Sequence, residues 1–436
     1  MSDQRTEVTT DVSEGTIRKI QNRLIPLLFV LYIVAFLDRV NIGFAALTMN
    51  ADLAITSAQY GLVTGIFFWG YFLFEIPSNL LLHKIGARIW IARILVTWGI
   101  VAMLTGVVHN VAQLYAARFL LGVAEAGFFP GIVLYLTYWF RQREQARVIA
   151  LFMAAIPTST ILGAPVSGFI LDHVHWLGIS SWRWLLMLEG LPAIACGILT
   201  YFLLPSRPAD AAFLTHEEKR WITAALAREE QTRIAGQSIS AWRALAHPRV
   251  WHLALINFTF LVGLYAMNFY LPQAIRSLSS VYTNTAIGVF VMVPHIVGLV
   301  AMILVSRSSD QSLERRYHAL VPLIFGATAL MLLGTTTSPA VSITLWSFAA
   351  MGMYAYYGPF WSLPSEFLTG FGAASGIALI NSVSNLGGFV GPSVIGAMAN
   401  GTGGIYRGVA LTGASLFVSA ALILLLPRNR ELERAT

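Results

Sequence analysis

Charge is what this sequence has least of. Only 11% of its 436 residues are charged, while 56% are hydrophobic; a soluble globular protein averages about 25% charged. So few charges cannot cover a water-soluble fold of this size, which excludes a cytosolic enzyme, a secreted domain or a disordered scaffold. Cysteine is nearly absent too. The single thiol, Cys196, rules out an internal disulfide, a Cys-rich metal site and an iron–sulfur cluster. Lying in an apolar run, it reads as inert packing. The first sixteen residues are polar and mixed in charge, so no cleavable signal peptide is expected and the first span would direct insertion. No nucleophile–base pair, phosphate-binding loop or metal-ligand cluster stands out, so neither an enzyme nor a cofactor nor a metal is expected. The net charge of +7 would suggest nucleic acid on a soluble chain. Here it points to basic cytoplasmic loops, with the bilayer as partner and no nucleic acid.

What is abundant is apolar runs of spanning length. They fall at 24–48, 59–82, 90–108, 112–138, 147–171 and 183–204, then at 251–273, 285–305, 318–334, 340–363, 373–398 and 406–426. They are too long for strands and lack a period of two. In hydrocarbon each must satisfy its backbone internally, so each reads as a helix crossing the bilayer in about 20 residues. The one long polar segment, 205–250, holds Arg207, Lys219, Arg220, Arg228, Arg233, Arg243 and Arg249 among Glu217, Glu218, Glu229 and Glu230. It reads as a solvated linker whose Thr215-His216-Glu217-Glu218 starts a surface helix by a capping box. The resulting division is a tail at 1–23, six helices at 24–204, the linker at 205–250, six helices at 251–427 and a tail at 428–436.

Arg18, Lys19, Arg23, Lys84, Arg88, Arg141, Arg143, Arg147, Arg307, Arg315, Arg316, Arg428, Arg430 and Arg434 all fall on one side. The loops opposite are nearly bare. Both termini and the linker are therefore expected in the cytoplasm. The loop at 364–372, with Glu366 alone, gives no support either way.

Charges deep in a span mark function by default. Asp38 and Arg39 lie in span 1, Arg118 and Glu125 in span 4. Arg118 and Glu125 are two turns apart on one face, with Gly122 between them. At 1.5 Å per residue, Asp38 lies roughly 15 Å below the outer surface, Arg118 roughly 9 Å and Glu125 roughly 20 Å. Facing one cavity, the four would form a mixed-charge cluster; the plainer reading is a structural salt-bridge pair. Glu75-Ile76-Pro77 and Glu189-Gly190-Leu191-Pro192 place two further acids by helix-distorting motifs, read as structural or gating before proton transfer. Arg183, between Trp182 and Trp184, reads as an interfacial anchor.

The second half has no deep acid or base except His295, read as a packed neutral imidazole. It offers stripes instead: Asn257, Tyr265 and Asn268 in span 7; Tyr354, Tyr357, Trp361 and Ser365 in span 10; Asn381, Asn385 and Gly388 in span 11. These suit either core packing or the wall of a polar ligand site.

Twelve spans as six plus six resemble the layout of major facilitator transporters, an all-α fold with its site between two six-helix halves near the midplane. A narrower resemblance is carried by Leu37-Asp38-Arg39-Val40-Asn41-Ile42-Gly43-Phe44-Ala45, by Phe74-Glu75-Ile76-Pro77-Ser78-Asn79-Leu80, by Arg118 through Gly131 ending Glu125-Ala126-Gly127-Phe128-Phe129-Pro130-Gly131, and by Asn381-Ser382-Val383-Ser384-Asn385-Leu386-Gly387-Gly388. Together they resemble the anion:cation symporter family, closest to the bacterial tartrate, phthalate and sugar-acid permeases. The resemblance implies uptake of a small organic carboxylate with protons, sodium being the other coupling ion, by a monomer in the inner membrane. It implies Arg39 as partner of the substrate carboxylate, Asp38 and Glu125 as proton carriers, and Arg118 as the group that tunes Glu125. The substrate-binding set is then Arg39, Tyr71, Arg118, Tyr265, Asn268, Tyr357, Trp361, Asn381 and Asn385. The general facilitator loop motif implies gating by Lys84, Arg88 and, in the second half, Asp310. In that motif His83 stands where an acid is usual. The competing reading is a proton-coupled drug or metabolite exporter, against which paired cavity arginines argue. A sensor without transport ranks last.

Overall fold

Hydrocarbon gives a backbone no hydrogen-bond partner, so an apolar chain of this kind must close its own bonds. Accordingly, the computed structural model is helical and, among the described residues, without strands. It describes residues 2–235, 246–364, 370–399 and 404–426. Ser365, Glu366, Arg243, Arg428, Arg430, Arg434 and the side chains of Arg143, Arg147, Glu230 and Arg233 lie outside the described residues.

Eleven helices there are long and apolar enough to cross a membrane. Spans 1 to 6 are Glu14–Asp52, Ser57–Ile85, Ala87–Thr105, Val111–Thr137, Leu151–His173 and Ser181–Leu203. Spans 7, 8, 9, 11 and 12 are Pro248–Leu278, Asn284–Ser312, Arg316–Thr335, Gly376–Ala399 and Gly404–Leu424. The remaining expected helix, span 10 (Pro339–Ser362), is long enough at 24 residues. Its tyrosines, tryptophans, serines and glycines dilute its apolar character, because much of it faces protein. The helix of span 1 begins at Ser2, so the expected N-terminal tail is already helical. The linker carries a helix at His216–Ala235. Its expected capping box forms: the Thr215 amide donates to Glu218 Oε2 at 2.7 Å and the Glu218 amide to Thr215 Oγ1 at 3.2 Å. Partial burial raises the Glu218 carboxyl. The Thr215 amide and the Lys19 ammonium, 3.0 Å away, more than offset this and hold it below the usual carboxylate range.

The helices pair symmetrically. Spans 3 and 6 pack together as do 9 and 12, spans 2 and 4 as do 8 and 10, and spans 1 and 5 as do 7 and 11. Between halves, span 2 meets span 11, span 5 meets span 8, and span 1 meets span 7. Adding six to each number maps this set onto itself, the signature of two repeats about a two-fold axis.

At the end away from the basic loops, the halves meet backbone to backbone. A Cβ on Gly168 would lie 2.3 Å from the Asn284 carbonyl, and one on Gly288 2.3 Å from that of Ala164. Asp172 of span 5 then caps span 8, accepting from the Asn284 and Thr285 amides at 3.1 and 2.7 Å and from their side chains at 2.8 and 2.7 Å. Within the first half, spans 2 and 4 approach so closely at Gly122 that a Cβ there would sit 2.0 Å from the Phe67 carbonyl. Backbone cannot yield as a side chain can, so Gly122→Ala should lose about 1–3 kcal/mol, the usual overpacking cost. Gly334→Ala, with nothing within 4 Å of its new Cβ, should be near neutral. Thermal unfolding of both purified variants checks the contrast.

Candidate functional site

A change of register and a helix break shape the centre of the bundle. Span 1 changes register slightly at Asn41, whose carbonyl accepts from both the Phe44 and the Ala45 amides at 2.9 Å. Span 4 stops at Glu125 and restarts at Phe128. Between them Ala126 is extended and Gly127 left-handed, at φ 84°. Gly127 is required twice over, since a Cβ there would also lie 2.3 Å from Ser78 Oγ. Glu125 therefore sits at the negative end of a half-helix, a position that calls for a cation.

Arg39 is that cation. Its Nη2 donates to Glu125 Oε1 in an ion pair. Its Nη1 donates to the Tyr265 hydroxyl at 2.8 Å, across to the second half. The guanidinium carbon lies 5.4 Å from the ring centroids of both Phe67 and Tyr71. Arg118 lies 5.2 Å from the same Phe67 ring, and its Nη2 reaches the Arg39 carbonyl at 3.5 Å. One aromatic ring is thus shared by two guanidiniums, each exploiting its negative face. Arg39, Arg118 and Glu125 are at most 5% exposed. Arg39 Nε, Arg118 Nε and Glu125 Oε2 have no hydrogen-bond partner among the described residues, so the cluster keeps polar capacity in hand.

Of the four charges expected together, Asp38 is placed apart. Its Oδ2 accepts the Trp98 indole N–H at 2.7 Å and its Oδ1 the Asn41 amide at 3.5 Å. The reason is helical geometry: adjacent residues on a helix do not face one partner, so when Arg39 turns to the seam, Asp38 turns to span 3. Glu125 pairs with Arg39, while Arg118 supports Arg39 through its backbone carbonyl.

In the second half, Tyr265 reaches the cluster directly. Asn268 donates to the Leu264 carbonyl at 2.9 Å and lies 3.3 Å from His295 Nε2; His295 Nδ1 donates to the Val291 carbonyl at 2.8 Å. Tyr357 packs edge-on against Phe260, with ring centroids 5.3 Å apart. Trp361 lies 6.3 Å from Phe129 across the seam. Asn381 donates to Glu75 Oε1 at 2.8 Å, a second bond between halves, and Asn385 donates to the Asn381 carbonyl at 3.0 Å. Glu189 instead accepts from Ser167 at 2.7 Å, inside the first half. The gating candidates lie at the basic end: Lys84 is exposed, Arg88 sits 5.1 Å from the Tyr201 ring centroid, and Asp310 pairs with Arg315. His83 Nδ1 is 3.3 Å from the Tyr138 hydroxyl.

Sequence reasoning missed Phe67 and Trp98. Phe67, Tyr71 and Glu75 are spaced four apart, so a stripe on span 2 was there to be read. Nothing in the apolar run around Trp98 pointed to Asp38.

Twelve helices in two repeats, with a buried ion pair at their seam beside the break in span 4, define a membrane transporter of the major facilitator fold. The sequence profile of the Major Facilitator Superfamily matches residues 28–392, and the chain belongs to that superfamily. A protein of Agrobacterium vitis named for tartrate transport is 45% identical over 423 residues, 97% of this chain and 93% of that one. A quinolone resistance transporter of Acinetobacter baumannii is 38% identical, covering 92% of each chain. The Escherichia coli xylose transporter XylE, in a partially occluded inward-open conformation, superimposes with TM-score 0.75 at 16% identity over 95% of this chain and 99% of that one; at that identity it speaks for the fold alone.

The Asp38–Trp98 contact gives a stability test. Trp98→Phe should cost about 1–3 kcal/mol by leaving a buried carboxylate oxygen without its donor. Asp38→Asn in the Trp98→Phe background should recover part of that loss. Thermal unfolding of the single and double variants reads the coupling, and purely additive losses would show the bond to be inert.

Proposed function

We propose that this chain is a secondary active transporter that imports a small organic carboxylate with protons by alternating access. It would lie in the cytoplasmic membrane with both termini inside, as the basic loops suggest. The observation that carries this reading is Arg39, a buried guanidinium held by Glu125 in one half and Tyr265 in the other. A substrate carboxylate fits the same planar fork bidentately and would compete with Glu125 for it. A carboxylate that loses its cation in a dry interior is held at lower free energy as the neutral acid. Substrate entry would thus recruit a proton to Glu125, and the two bindings would favour each other reciprocally. Asp38, bound to Trp98 and beside Arg39 in sequence, is the second proton candidate. The Tyr and Asn side chains of spans 7, 10 and 11 would select which anion is taken. The relative named for tartrate transport supports a hydroxy acid as the first class to try.

The second reading, a proton-coupled exporter, is favoured by the relative named for quinolone resistance. A panel separates the two. Tartrate, sugar acids and aromatic acids should raise the melting temperature of the purified protein, because a ligand that binds only the folded state stabilises it. Cationic and neutral amphiphiles should not.

Two variants test the coupling. Arg39→Ala should weaken binding of the stabilising acid more than about 30-fold, and Arg39→Lys should restore it only in part, because one buried partner of a charge pair is worth 2–5 kcal/mol. Glu125→Gln should retain exchange of labelled acid at equal pH in proteoliposomes but lose uphill uptake driven by an inward proton gradient. Full gradient-driven accumulation by Glu125→Gln would move the proton role to Asp38, and loss of exchange as well would mark the Arg39–Glu125 pair as structural.

A further inference from the structure

Arg93 is a charge in a membrane span that the transport site does not use. It lies six residues past Ala87, roughly 9 Å into span 3 at 1.5 Å per residue. Helical side chains lean toward the N-terminus, and the Arg93 guanidinium accordingly sits 3.9 Å from the Trp90 ring centroid, one turn nearer the basic end. Its Nε has no hydrogen-bond partner, Nη1 has only a 3.5 Å contact to Thr97 Oγ1, and among the described residues no carboxylate pairs with it. A half-buried guanidinium at this depth normally faces a partner or water inside the bundle. Arg93 instead lines a groove of about 330 Å³ on the outer face of spans 3 and 6, walled by Ile89, Val96, Ile198 and Phe202. Phe202 is 73% exposed, as a lipid-facing side chain would be. Arg88 stands over Tyr201 at the same end of the groove, its guanidinium carbon 5.1 Å from the ring centroid.

We propose that this groove is a binding site for an anionic phospholipid. The lipid phosphate takes the Arg93 guanidinium, which no carboxylate holds among the described residues, with Arg88 completing the basic rim, and an acyl chain lies on Ile89, Val96, Ile198 and Phe202. Charge and shape agree on this occupant. The donors lie toward the basic end of the groove, within reach of a phosphate at the headgroup level of that leaflet, and Ile89, Val96, Ile198 and Phe202 offer hydrocarbon contact beside them. Basic pockets between spans at that face recognise anionic headgroups in the same way. The site is separate from the central cluster and independent of which substrate is carried.

Native mass spectrometry of the detergent-purified full chain tests it. The protein is titrated with phosphatidylglycerol and, separately, with phosphatidylcholine of the same acyl chains, each with and without excess inorganic phosphate. Wild type should retain phosphatidylglycerol in preference, and inorganic phosphate should not displace it. Arg93→Leu, which suits a lipid-facing position, should reduce the phosphatidylglycerol affinity about fivefold, the weight of one basic side chain near an anionic surface. It should leave phosphatidylcholine binding unchanged. Arg93→Lys should keep part of the preference. Size-exclusion profiles and melting temperatures without added lipid establish that the variants fold. Equal binding of the two lipids by wild type, an unchanged preference in folded Arg93→Leu, or displacement by inorganic phosphate would each overturn the proposal.

Discussion

A guanidinium buried in the middle of a membrane protein needs compensation for its lost water, and Arg39 is the group around which this chain is arranged. Glu125 supplies its counter-charge, Tyr265 a hydroxyl from the other half, Phe67 and Tyr71 their ring faces. Each partner comes with a demand on the fold. Glu125 needs span 4 to end where it does, which needs Gly127. Phe67 needs spans 2 and 4 to touch, which needs Gly122. Tyr265 needs spans 1 and 7 to meet. The close glycine contacts and the break in span 4 thus serve one residue's solvation. A buried ion pair is weak evidence for stability, since apolar packing often does as well. In the proposed function its value would lie in being exchangeable: one carboxylate could be replaced by another that arrives from outside.

The seam between the halves is held unevenly. Away from the basic loops, backbone meets backbone at Gly168 and Gly288, and Asp172 caps the helix of the opposite half. Toward the basic loops the described contacts between halves include side-chain pairs, Asn381 to Glu75 and Trp361 to Phe129. Side-chain contacts can part by rotamer change, whereas the glycine contacts require the helices themselves to move.

Much of this was legible in the amino-acid order, because the bilayer leaves few options. Apolar runs of spanning length become helices, and the basic loops segregate to one end. Thr215 and Glu218 announced their capping box. Charges in apolar runs had to be central, so Arg39, Arg118 and Glu125 could be named from position alone. The run at 340–363 does form a helix, Pro339–Ser362, although its aromatic and small residues dilute its hydropathy. The pairings were harder. Which way Asp38 turns depends on the azimuth of span 1, which is set by the seam and not by any local pattern; hence Trp98 went unseen. Asn381 was read as ligand wall, but the partner it meets in this conformation, Glu75, lies 306 positions away. Arg93 went unread because six residues from a helix end resembles ordinary snorkelling; only the groove beside it gives the position meaning.

The central claim is that substrate and Glu125 compete for Arg39, so that a proton enters when the acid binds. Calorimetric titration in buffers of different ionisation enthalpy counts that proton directly. With tartrate, or the most stabilising acid of the panel, the wild-type protein should take up protons on binding at neutral pH, and Glu125→Gln should bind while taking up measurably fewer. Binding by the wild type without proton uptake, or equal uptake by both proteins, would contradict it.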